Sequence, residues 1–162
     1  MSSTQNYHYC LLGAICWEHP SWVGTFYPED LPAEWRLNYY STSFECVYLP
    51  YAIWHAAAPE TLDAWQHDTQ EHFRFLLQAP PAPSAENDAL IAALGKKAVA
   101  VHPQLGSAHS PPLVWLEPDA NLRQLAQTLQ ALEAAPPFYL ISVSANYAQL
   151  AQARTLLEVL GY

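Results

Sequence analysis

The sequence predicts an α/β domain with a mostly parallel sheet of about six strands alternating with helices. Short apolar runs alternate with segments of helical periodicity along the chain. The runs are continuously apolar, as expected of strands covered on both faces. Prolines, or a glycine, punctuate the junctions, notably Pro32, Pro59, Pro80-Pro81, Gly95 and Pro136-Pro137. An open three-layer α/β sandwich is compatible with the same alternation. At 162 residues one domain, spanning 1–162, is expected.

Residues 7–15 read as the first strand, which ends before a Trp/Pro-rich loop. Pro32 fits a first helical position, and Leu31, Trp35 and Tyr39 then share a face. Residues 46–53 read as a second strand, in which Pro50 removes a ladder donor and marks an end, bulge or edge. Pro59-Glu60 opens a second helix with Leu62 and Trp65 on one stripe, and residues 73–78 form the third strand. Ser84 caps a helix that runs through Leu94 to Gly95, with Lys96 and Lys97 near its negative end. Residues 98–101 and 113–116 are the next strands, separated by a loop rich in Pro, Ser and Gly. Leu122, Leu125, Leu129 and Leu132 mark an amphipathic helix, and residues 138–143 the last strand. Asn146 N-caps the final helix, with Gln149 as capping-box partner and Leu150, Ala153, Leu157 and Leu160 facing inward.

Composition excludes several function classes. The formal charge is −9, and only Lys96 and Lys97 among the six Lys and Arg residues are adjacent. A phosphate backbone or an anionic membrane needs clustered cations, so neither nucleic acid nor membrane is an expected partner. No apolar run approaches the roughly 20 residues of a membrane span. The first residues carry neither a basic segment nor a long apolar core, so no signal peptide is expected. Cys10, Cys16 and Cys46 are odd in number, lack paired spacing and lie in apolar runs. They read as buried free thiols, which places the chain in the cytoplasm. Phosphate-loop, dinucleotide and nucleophile-elbow motifs are missing, and no cofactor is expected.

One stretch is more specific. Trp17-x-x-Pro20-x-Trp22-x-Gly24-x-Phe26-Tyr27-Pro28 is followed by Tyr40, Phe44, Val47, Pro59-Glu60-Thr61, Trp65, Phe73 and Phe75. With Gly13 before it and Ala79-Pro80 after it, this order resembles the YecE-like family, the domain-of-unknown-function family numbered seventy-two. The resemblance covers roughly residues 7–80 and implies a TIM-barrel-like fold with a functional mouth at the strand C-terminal ends. It transfers no reaction, because the family has none firmly established. Three departures stand out: Tyr48 replaces a strand-end Glu, Pro50 an Asn and Gln78 a Lys of the family pattern. A closed barrel takes about 250 residues and seldom fewer than about 200, so the expected architecture is an incomplete or shortened barrel. Its open edges would be covered or would pair in a homodimer.

The candidate acid–base residues are Glu18 and His19 in the first strand's loop, His55 past the second strand, and His102 and Glu117 after the fourth and fifth. Gln104 follows His102. Such a set could ligate a metal, but its spacing matches no metal motif and no metal is expected. Trp17, Trp22, Tyr48, Trp54 and Gln78 are the candidates for contacting a small-molecule ligand at the strand C-terminal face. The aromatics suit packing at least as well. Two functions follow: a catalytically degenerate binding or interaction protein, favoured by Tyr48, Pro50 and Gln78, or a small-molecule enzyme using the His/Glu set.

Overall fold

The apolar runs pair side by side into one curled, six-stranded, all-parallel sheet, a half-barrel. The structure, a computed structural model, describes residues 10–101, 113–131 and 138–161. Its strands are β1 (Cys10–Ile15), β2 (Cys46–Leu49), β3 (Arg74–Gln78), β4 (Ala98–Val101), β5 (Leu113–Leu116) and β6 (Phe138–Ser142). Its α-helices are α1 (Arg36–Ser43), α2 (Tyr51–His55), α3 (Pro59–Asp68), α4 (Ala85–Leu94), α5 (Leu122–Ala131) and α6 (Tyr147–Leu160).

The spatial order is β4-β3-β2-β1-β6-β5. From β1 to β4 each strand adds to the same edge, whereas β6 returns to the other side of β1, from Cys10↔Phe138 to Ala14↔Ser142. A last strand beside the first is the closure pairing of a barrel. Among the described residues the sheet's two edges are β4 and β5, so the open side of the half-barrel lies between them.

Register divides the side chains into two faces. Leu12, Val47, Leu49, Phe75, Leu77 and Leu140 join the buried residues of the helices in one cluster. Cys46, Tyr48, Leu76, Val101, Tyr139 and Ile141 form a second, concave cluster to which no helix contributes. The connections that carry a helix, β1–β2, β2–β3, β3–β4 and β5–β6, all step in one direction along the sheet. Right-handed crossovers of that kind place their helices on one side. That single helical layer excludes the three-layer sandwich.

Gly13 and Tyr40 explain each other. The Tyr40 hydroxyl accepts the Ala14 N–H (2.8 Å) and donates to the Cys46 carbonyl (2.7 Å), joining β1 to β2 through a fully buried phenol. The same carbonyl is so close to Gly13 that a Cβ there would sit 2.0 Å from its oxygen.

Several local expectations change. The segment after Pro32 begins as a 3-10 turn, Ala33–Trp35, and α1 follows. The buried face is Leu37, Tyr40 and Ser41, while Trp35 is 61% exposed, so the predicted Leu31/Trp35/Tyr39 stripe is displaced by the tighter turn. The second strand stops at Leu49, because Pro50 N-caps α2 and Tyr51 to Ile53 are helical. Leu122 is exposed, so Leu125 and Leu129 anchor α5, and Leu132 lies outside the described residues. Asn146 does cap α6 by accepting the Gln149 N–H, but the Gln149 amide donates to the Glu117 carbonyl (2.7 Å) instead of completing a capping box. The Lys97 ammonium caps α3, not α4: it donates to the Gln66 carbonyl (2.6 Å), the Thr69 carbonyl (3.1 Å) and the Thr69 hydroxyl (3.0 Å).

A buried ion pair fastens α6 to the base of β2. Arg154 Nη1 and Nη2 donate to the two carboxylate oxygens of Glu45 at 2.8 and 2.5 Å, and Nη2 also reaches the Ser43 carbonyl at 2.7 Å. Glu45 is nearly buried, whereas Arg154 retains some solvent contact. Removing one partner of a fully buried pair costs about 3–5 kcal/mol; partial exposure reduces the expected cost of Arg154→Met to about 2 kcal/mol. A urea midpoint unchanged from the parent would refute that value.

Candidate functional site

The loop leaving β1 is held from within. Cys16 adopts a left-handed φ of +61° and donates its N–H to the Tyr48 carbonyl (3.0 Å). His19 Nε2 lies 2.8 Å from the Ile15 carbonyl and 3.1 Å from that of Cys16, so it donates there and ties the strained residue down. Trp22, fully buried beside the His19 ring, donates from Nε1 to the carbonyl of Ala145 (2.7 Å), itself at φ +56°. Trp22 packs among Phe26, Tyr27, Tyr40 and Phe44, with its ring stacked on Tyr40 at 7° between planes. Tyr27 donates to the Trp17 carbonyl (2.7 Å). The tryptophan–proline–tyrosine order is thus the pattern of a packed plug between the ends of β1 and β6.

The strand-two and strand-three ends are also internally engaged. Tyr48 lies on the concave face against Trp115, ring centres 5.1 Å apart. Gln78 Oε1 accepts the Tyr51 N–H (2.9 Å), satisfying an orphan donor at the start of α2, and its carbonyl accepts the indole N–H of buried Trp54 (3.1 Å). Beside them Tyr51, His55 and Asn87 form a closed triangle. His55 Nδ1 lies 3.1 Å from Tyr51 Oη and 3.2 Å from Asn87 Oδ1, while Asn87 Nδ2 donates to Tyr51 Oη (3.2 Å). With Asn87 Oδ1 as acceptor, His55 Nδ1 is the donor of that bond, which leaves Nε2 outside the triangle. His55 is exposed and stacks on Tyr51, whereas Asn87 is buried.

The acid–base candidates occupy separate places. Glu18 pairs with Arg36 (2.9 Å), on the helix side of the sheet. Glu117 is exposed after β5, and its carbonyl accepts from Gln149. Among the described residues, no hydrogen bond or ion pair joins any two of Glu18, His19, His55 and Glu117. His102 and Gln104 lie outside the described residues. Among the described residues no group of three His, Cys, Asp or Glu side chains is placed to hold a metal, and no helix is long and apolar enough to cross a membrane. The three thiols are free; burial, reinforced by the Glu45 carboxylate, pushes the Cys10 thiol up to about 12, and burial likewise raises Cys16 and Cys46. Protonated thiols are poor nucleophiles.

Sequence reasoning missed Tyr51 and Asn87. The four-residue spacing of Tyr51 and His55 on a helix was a usable signal, had residues 51–53 not been read as strand. Asn87 carried none, because its role depends on α4 docking beside α2.

The sequence pattern described as "Protein of unknown function DUF72" matches residues 11–158, from β1 into α6. The chain belongs to the DUF72 family. A crystal structure of a DUF72 family protein from Thermotoga maritima MSB8 superimposes with a TM-score of 0.62 and 12% identity, covering 92% of this chain and 99% of that one. A DUF72 family protein from Enterococcus faecalis V583 gives 0.59 and 12%, covering 92% and 95%. At this identity the likeness shows the fold alone. A comparison with curated proteins finds no match. The family match extends well past residue 80, so the half-barrel's second half is DUF72 sequence too.

Proposed function

We propose that this DUF72 chain is a catalytically degenerate binding or interaction protein of the cytoplasm. The observation that carries this reading is the engagement of Gln78. Where the resemblance implies a strand-end lysine, an uncharged amide stands with its oxygen taken up by the Tyr51 backbone. Tyr48 and Pro50, at the other two departures, supply a ring against Trp115 and an N-cap. These groups consolidate the mouth without offering a titratable pair there. The three buried or half-buried free thiols fit a reducing compartment.

A second reading rests on one arrangement, the Tyr51–His55–Asn87 triangle, which engages His55 Nδ1 and leaves Nε2 outside it. One experiment separates the two. The purified protein is incubated with a fractionated small-molecule extract, and bound and free compounds are followed by mass spectrometry. Retention of an unaltered compound, with nothing converted over time, is the expected result. Conversion that falls by about 100-fold or more in His55→Ala would replace it with the enzyme reading. Absence of both retention and conversion would exclude small-molecule binding under those conditions and leave an interaction with a macromolecule, tested by co-purification of the tagged full chain.

A further inference from the structure

One flank of β5 pairs with β6; along the other, no strand lies among the described residues. The Val143 N–H donates to the Leu116 carbonyl (3.1 Å), so Leu116 turns its backbone groups toward β6. In a parallel ladder the N–H and C=O of one residue face the same neighbour, and successive residues face opposite ones. Val114 therefore also faces β6, while Leu113 and Trp115 turn their N–H and C=O groups to the open flank. Among the described residues nothing donates to or accepts from those outward groups. The usual devices that blunt an edge are a charge, a proline or a bulge. None occurs within Leu113–Leu116, whose register against β6 is unbroken. Beside the edge, between β5 and α5, a groove encloses about 330 Å³. Val114 and Leu125 give it apolar surface, and Gln124 and Thr128 line it from the helix. Glu117 and Asp119, both exposed, stand where β5 ends. Among the described residues no basic side chain lines the groove, and neither carboxylate is in an ion pair.

We propose that the β5 edge binds an extended, basic polypeptide segment of a partner protein, added to the sheet as a strand. The outward N–H and C=O groups call for an extended backbone, because a helix has spent its own groups internally. A strand laid there alternates its side chains. One set enters the groove beside Val114 and Leu125, and the other lies toward Leu113 and Trp115 on the concave side. The two carboxylates at one end select a segment carrying lysine or arginine and repel an acidic one. The β4 edge is the poorer acceptor of a strand, since its Ala98 N–H already donates to the Gly95 carbonyl. The site depends on neither reading of the mouth.

The test titrates the full chain with a short acetylated and amidated peptide of alternating valine and threonine, with lysine at both ends. Calorimetry follows binding, and NMR follows amide hydrogen exchange. Saturable binding that weakens as salt is added is expected, with exchange of the Trp115 amide slowed by about tenfold or more at saturation. Leu113→Pro removes one outward donor, leaves the bonds to β6 intact and should weaken binding by about tenfold. The matching change on the other edge, Ala100→Pro in β4, should alter it less than about twofold. Glu117→Gln/Asp119→Asn, which touches no bond that holds the fold, should weaken it by about threefold and flatten its salt dependence. No saturable binding, binding without slowed Trp115 exchange, or equal weakening by the two proline variants would overturn the proposal. So would a Trp115 amide already protected before peptide is added, since the flank is then occupied. Where that protection rises with protein concentration, the edge belongs to a second copy of this chain instead.

Discussion

Gly13→Ala is expected to abolish folding. The added Cβ would lie 2.0 Å from the Cys46 oxygen, 2.7 Å from its carbonyl carbon and 2.9 Å from its sulfur. Relief by movement is blocked, because β1 is paired on both sides, with β2 and with β6. Moving the Cys46 carbonyl would also break its bond to Tyr40, whose phenol is buried completely. A clash between backbone and side chain inside a doubly paired strand belongs with the largest single-residue effects, above about 4 kcal/mol, against a total stability of about 5–15 kcal/mol for a domain. Loss of the cooperative urea transition, or insoluble protein, is the readout. Tyr40→Phe strips the hydroxyl from two buried backbone groups without a clash, and about 2–3 kcal/mol is expected. A Gly13→Ala protein with the parent's midpoint would refute the close approach of β1 and β2 at this position.

Lys97→Met is expected to cost about 3 kcal/mol, because one ammonium serves three buried or half-buried acceptors at the end of α3. That helix has no glycine cap; its C-cap residue is Thr69, in an extended conformation. The charge also faces the negative end of the helix dipole. Methionine keeps the aliphatic stem and removes only the donors, so the loss reports on those bonds. Lys96 is the internal control: it is exposed and 4.0 Å from an exposed Glu71, and Lys96→Met should fall within about 0.5 kcal/mol of the parent. A urea midpoint falling for Lys97→Met alone, with the slope unchanged, is the expected pattern. Equal effects at 96 and 97 would refute the capping role.

The strands were legible as unbroken apolar runs between turn and helix signals, and β4 and β5 match their predicted bounds although most of their residues are only partly buried. Errors arose where a local rule had two outcomes. Pro50 ends a strand and opens a helix with equal ease, and only the second explains Tyr51 and His55 on one helical turn. The Gln149 amide had two acceptor sets within reach, and the carbonyl after β5 took it. Lys97 follows α4 in sequence yet serves α3, a relation no one-dimensional pattern contains. The same holds for the site. Trp22 and Trp54 were candidates for ligand contact or for packing alike, and both indoles donate inward, to the carbonyls of Ala145 and Gln78. Whether a tryptophan faces a ligand or a core is decided by its partners across the fold, and those are far away in sequence.

The β6–β1 pairing bears on how the chain is made. Cys10 finds its partner only when Phe138 has left the ribosome, so β1 keeps one flank unpaired while the intervening chain is made. An unpaired, apolar strand is a template for pairing with other nascent chains. The sheet can grow from β1 to β4 in order of emergence, but its central strand is completed last. The long sequence separation of the β1–β6 pairing is therefore an expected source of slow folding.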